Sequence, residues 1–141
     1  MAIIEAVRNY LQDCPLLESY KQIKVEFLPA EVGYFSIEEV PNETTVNKYI
    51  DGSETKQFTF VLASRFIYSE EAQQTIDNSG FFEQFAEWVS EQSEQGNLPV
   101  LSGNKQASDL EVLTSGYLFN IANGMRDARY QIQMRLIYDV L

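Results

Sequence analysis

The stretch "RYQIQMRLIYDVL", residues 129–141, alternates through Val140 with only Ile137 out of step. Tyr130, Ile132, Met134, Leu136, Tyr138 and Val140 fall on one side of an extended chain. Arg129, Gln131, Gln133, Arg135 and Asp139 fall on the other. A period of two marks a strand with one face in a core and the other polar. The sheet that holds this strand is therefore expected to be covered by helices on its apolar face, with Arg129, Gln131, Gln133 and Arg135 turned to solvent or to a neighbour.

A second stretch matches it. In "YIDGSETKQFTFVLASRF", residues 49–66, Phe58, Phe60, Leu62 and Phe66 share one face against Thr55, Gln57, Thr59 and Arg65. Asp51-Gly52 supplies the backbone freedom of a tight turn before it, so a hairpin is expected. Its second arm is about twelve residues long and should run through the middle of the sheet. "IKVEF", from Ile23, reads as a strand stopped near Pro29, and "EVGYFSIEEVP" as an irregular strand or a crossing loop.

Helices should cover the apolar face. Ile3, Ile4, Val7, Tyr10 and Leu11 recur at helical spacing until Pro15. Ser69 followed by Glu70 and Glu71 resembles a helix start, which Ser79-Gly80 should interrupt. A further helix is expected through Phe81, Phe82, Phe85, Trp88 and Val89, closed by Gly96 and Pro99. "LSGNKQAS" reads as loop, "DLEVLTSGYLFNI" as one strand, and "ANGMRDA" as the turn into the last strand. The fold class is thus a single α+β domain over 1–141. It has a mostly antiparallel sheet with helices packed on one face, in the order helix, two to three strands, helix, two strands.

Composition bounds the function. Lys and Arg number 10 against 21 Asp and Glu, a formal charge of −11. Such a chain is expected to avoid sequence-specific nucleic-acid binding and anionic membranes. The one cysteine, Cys14, leaves no internal disulfide, which fits a reducing cytoplasm. The first residues have neither the cationic start nor the long apolar segment of a signal peptide. A soluble intracellular protein is the expectation.

No histidine is present. Ser-His-Asp and Cys-His arrangements are therefore impossible, and the commonest metal ligand is missing. Phosphate-binding glycine loops and calcium-loop spacing are also absent. No catalytic residue, cofactor site or metal site is assigned, and the chain is not expected to be an enzyme. The residues proposed for protein contact are the hairpin Tyr49, Ile50, Asp51, Gly52, Ser53 and Glu54, and the basic residues Arg126, Arg129 and Arg135. An acidic stretch with Glu70, Glu71, Asp77, Glu83, Glu87, Glu91 and Glu94 has no Lys or Arg between Arg65 and Lys105. It is read first as a solvated helix face, with basic partners as the functional rival.

The stretches "AIIEAVRNYLQDCPLLE", "YIDGSETKQFTFVLASR", "NSGFFEQFAEWVSEQSEQGNLPVL" and "ARYQIQMRLIYDVL" together resemble a family of small prophage proteins of Gram-positive bacteria, the minor capsid or tail terminator proteins. Members often carry the label "chloramphenicol resistance protein". The acetyltransferases that inactivate that drug use a catalytic histidine, which is missing here. The resemblance implies a tail terminator or head-tail joining protein, located in the virion tail or neck and assembled in the bacterial cytoplasm. It implies a homo-oligomer, a hexameric ring, whose partners are the tail-tube protein and the head-tail connector. An acidic lumen in such a ring would let DNA slide through without sticking. Two other readings stay open on the residues alone: a small enzyme acting on a drug or metabolite, and a monomeric adaptor or immunity protein.

Overall fold

The computed structural model describes residues 2–17, 23–30, 32–68, 72–122 and 127–141, with the backbone alone at 72–75 and 122. Elements follow in the order α1 (Ile3–Gln12), a 3-10 turn (Pro15–Leu17), β1 (Ile23–Val25), β2 (Phe35–Glu39), β3 (Thr45–Lys48), β4 (Glu54–Ile67), α2 (Ala72–Glu94), β5 (Lys105–Val112), β6 (Tyr117–Ala122) and β7 (Asp127–Val140). The seven strands form one sheet in the order β1-β2-β4-β7-β5, with β3 also on β4 and β6 also on β7. Only β1 and β2 pair in parallel; the other described pairs are antiparallel.

The two alternating stretches form the centre. β4 and β7 pair along their whole length, from Glu54↔Val140 to Ile67↔Asp127. This register sets Phe58, Phe60 and Leu62 opposite Leu136, Met134 and Ile132 on one face. Tyr130, Ile132, Met134, Leu136 and Tyr138 are buried there, as the alternation predicts. The second hairpin arm runs to 14 residues, slightly longer than expected, and is central.

Both helices lie against that face. α1 buries Ala6, Val7 and Leu11, and Cys14 just beyond it joins the same core. α2 buries Phe82, Phe85 and Val89, a spacing of three and four that keeps one stripe on the sheet. Phe81 and Trp88 are partly buried at its margins and pack on the same core. The helix closes in a Schellman motif: Gly96 N–H donates to Ser93 O at 3.1 Å and Asn97 N–H to Gln92 O at 2.9 Å, with Gly96 at φ 74°.

The element order differs from expectation in three places. Four strands precede the long helix and three follow it, in place of two to three and two. "EVGYFSIEEVP" contains the regular strand β2 next to the centre, whereas the "IKVEF" strand stops at Val25 because Glu26 adopts φ 57°. "DLEVLTSGYLFNI" is two strands, and the first of them begins inside the supposed loop, at Lys105. Gly116 explains the break: a Cβ there would collide with the ring of Phe82, so the backbone turns as it crosses α2.

Ser79-Gly80 does not interrupt the helix, because α2 is continuous from Ala72 to Glu94. A helical glycine costs only about 1 kcal/mol. Asn78 on one side is buried and donates to Ile67 O at 3.1 Å, while Phe82 on the other is inserted in the core. The proposed start at Ser69, Glu70 and Glu71 lies outside the described residues. So does most of the "ANGMRDA" turn. Among the described residues no helix is long and apolar enough to cross a membrane.

Candidate interaction surface

The hairpin that joins β3 to β4 extends past the last β4–β7 pair, Glu54↔Val140. Its turn is held locally. Tyr49 N–H donates to Ser53 O at 2.9 Å and Gly52 N–H to Tyr49 O at 3.1 Å, with Gly52 at φ 92°. Asp51 Oδ1 accepts from Ser53 Oγ at 2.6 Å and Ser53 N at 3.0 Å, and these bonds hold its carboxyl below the usual carboxylate range. Ile50 stands at the tip, 109 % exposed. The turn chemistry therefore fixes a loop whose apolar tip contacts nothing in its own core.

The helix-free face of the sheet is polar and tied together. Arg129 Nη2 donates to Glu38 Oε1 at 2.9 Å and to Gln131 Oε1 at 3.0 Å, and its guanidinium lies 5.0 Å from the centre of the Phe119 ring. Gln131 Nε2 donates to Tyr117 Oη at 2.6 Å. Arg135 is bonded to Glu111 Oε2 at 2.5 Å, and Arg65 Nε to Pro29 O at 3.0 Å with Asp127 at 3.8 Å. These cations are thus neutralised inside the chain, and the face offers hydrogen-bonding groups more than net positive charge.

The residues assigned from sequence are not brought together. Tyr49, Ile50, Asp51, Gly52, Ser53 and Glu54 lie at one end of β4, whereas Arg129 pairs with Arg65 near the other. Eleven strand residues separate the levels of Glu54 and Arg65, about 36 Å. Arg135 sits between, opposite Thr59. Arg126 lies outside the described residues. Hairpin and arginines are two surfaces, one at the tip and one on the open face.

Sequence reasoning read Tyr117, Phe119 and Ile121 as strand, but neither separated β6 from β5 nor placed it at an exposed edge. Tyr117, Leu118, Phe119 and Ile121 are all substantially exposed on a strand whose described partner is β7 alone. A signal was present, since residues 112–122 contain no charged side chain in a chain of net charge −11.

The described grooves are shallow and open. The largest, of about 670 Å³, lies between α2 and the β5–β6 bend and is lined by Phe82, Glu83, Glu87 and residues 112–116. Among the described residues no group of three or more His, Cys, Asp or Glu could hold a metal ion. On α2, Asp77, Glu83, Glu87, Glu91 and Glu94 are exposed, so the acidic row points away from the sheet. Fold and surface together define a small α+β domain with helices on one sheet face, a projecting hairpin and an apolar sheet edge. Compared with protein-family models and with curated proteins, the chain matches none.

Proposed function

We propose that this chain is a structural subunit of a tailed phage or phage tail-like particle, a tail terminator or head-tail joining protein. It assembles with copies of itself into a ring, caps the tail tube and presents a surface to the head or neck connector. The observation that carries this reading is the projecting hairpin with Ile50 at its tip. A rigid turn that contacts nothing in its own core suits contact with another molecule. The resemblance of the quoted stretches to tail terminators supplies the identity of that molecule.

The rest of the surface is compatible with the role. The helix-free face around Arg129 and Arg135 offers hydrogen-bonding groups over part of the sheet, as a contact surface would. The exposed carboxylates of α2, turned toward a lumen, would repel the phosphates of passing DNA. Electron microscopy of tail-tube protein polymerised with and without the purified chain tests the reading. Capped tubes of restricted length are expected. Tubes that grow unchanged and carry no cap would refute it.

A further inference from the structure

Four strands have one described partner each: β1 on β2, β3 on β4, and β5 and β6 on β7. β6 differs from an ordinary edge. Tyr117, Leu118, Phe119 and Ile121 are 38, 43, 55 and 39 % exposed. Exposed edges are usually blunted by Lys or Pro, and β6 has neither, although a bulge between Leu118 and Asn120 bends it. Its outward backbone donors and acceptors select an extended strand as the occupant.

The same molecule carries a strand of the required kind. β3 and its turn expose Val46, Tyr49 and Ile50, and Lys48 is the only charged residue in 45–50. β3 and β6 each run antiparallel to their central strand, and the central strands β4 and β7 are antiparallel to each other. Hence β3 and β6 point in opposite directions. Copies of the same orientation, offset along the strands by about 30 Å because β3 lies level with Glu54–Lys56 and β6 near the far end of β4, would bring β6 of one antiparallel to β3 of the next. Charge does not oppose this joint: in a chain of net charge −11, residues 45–50 carry only Lys48 and residues 112–122 carry no charge.

We infer that β6 is the docking edge for the β3 arm of a second copy of this chain. The arm adds as an antiparallel strand, with Val46, Tyr49 and Ile50 laid against Leu118, Phe119 and Ile121. The inference rests on the self-assembling reading proposed above and names the surfaces that carry it. Because the two edges are different surfaces, the contact is heterologous and repeats head to tail until a ring closes.

Two full-length variants test it, Leu118→Lys/Ile121→Lys in β6 and Val46→Lys/Ile50→Lys in the β3 arm, sized by light scattering and native mass spectrometry. The wild-type chain is expected to form an oligomer larger than a dimer, and each variant alone a monomer. An equimolar mixture should give a dimer and nothing larger, because it contains one intact joint. Oligomers that persist in the variants would overturn the edge assignment and leave self-assembly standing. A dimer of the Val46→Lys/Ile50→Lys variant by itself would show β6 pairing with β6 and overturn it too. A wild-type monomer at every concentration, with or without tail tubes, would sink both the inference and the ring. Should a lysine variant fail to fold by circular dichroism, Ile121→Ser and Ile50→Ser carry the same mixing experiment.

Discussion

Arg129 and Glu38, 91 residues apart in sequence, meet at 2.9 Å across the helix-free face of the sheet. β2 presents the carboxylate and β7 the guanidinium, with β4 between them. Both side chains are mostly shielded, 17 and 24 % exposed, and Gln131 and Phe119 hold the guanidinium from two more sides. Arg129→Ala is expected to cost about 1–3 kcal/mol, the range for a charged hydrogen-bonded group that leaves its partner behind. Urea unfolding measures it, and a Glu38→Gln cycle should show coupling between the two sites. Additive single effects would mean that the pair is immaterial.

Reversing Arg129 and Arg135 together asks a different question of the same face. Lower stability is expected from the broken bonds to Glu38 and Glu111. If the face meets a neighbouring subunit, oligomer size falls as well, and this is the expected result. An unchanged oligomer would place both arginines on surface that no subunit covers.

Gly116 should tolerate no side chain. A Cβ there would overlap Phe82, which is 1 % exposed and cannot swing away. Gly116→Ala is expected to lower stability by about 1–3 kcal/mol through overpacking. In a Phe82→Ala background, which removes Cγ and the ring, the same change should cost less than in the wild type. Thermal unfolding of the four proteins distinguishes a steric clash from a purely backbone effect.

Ser64 carries a hydroxyl in the core with no hydrogen-bond partner among the described residues. Removing an unsatisfied buried polar group while keeping its volume relieves a desolvation penalty. Ser64→Ala should therefore leave stability unchanged or raise it by about 1 kcal/mol. A clear loss of stability would reveal a partner for the hydroxyl.

The alkaline limb of stability should depend on Tyr10. Burial, then the charge of Cys14, pushes its phenol up to about 12, and its hydroxyl donates to Asn97 O at 2.8 Å. The unfolded chain ionises near 10, so between pH 10 and 12 deprotonation favours the unfolded state. Stability is whole below pH 10 and falls as pH rises toward 12. Tyr10→Phe should flatten this decline, leaving a remainder from Tyr138, whose phenol burial also raises. Melting temperatures across that range check it; parallel curves would rule Tyr10 out.

Deleting residues 49–54 is expected to abolish tail assembly while the core persists, because the turn lies beyond the last β4–β7 pair and Ile50 touches nothing in that core. Circular dichroism and particle counts together decide the matter. Normal tails from the deleted protein would remove the hairpin from the assembly surface.

Much of the architecture was legible in order and spacing. The period of two in residues 129–141 and 57–66 gave both central strands with the correct inward face, and Asp51-Gly52 gave the turn. Phe82, Phe85 and Val89 gave the helical stripe. What misled was local punctuation: Ser79-Gly80 reads as a break, yet Asn78 and Phe82 anchor the helix on both sides of it. Conversely, Ser115-Gly116 is the same punctuation and does mark a break, where Gly116 passes over Phe82.

The candidate surfaces were legible only in part. The hairpin's turn could be read because turn chemistry is local. The carboxylates that neutralise the arginines could not, since Arg129–Glu38 and Arg135–Glu111 are made by strand neighbours that only the sheet order supplies.

The sequence by itself determined the α+β class, the identity of the buried face and the position of the hairpin, because periodicity and turn propensity act over a few residues. Tertiary structure decided that β6 lies at an edge with Leu118, Phe119 and Ile121 exposed. An apolar alternating strand reads the same whether it is central or marginal, and only the order of strands in the sheet says which of its sides has a partner.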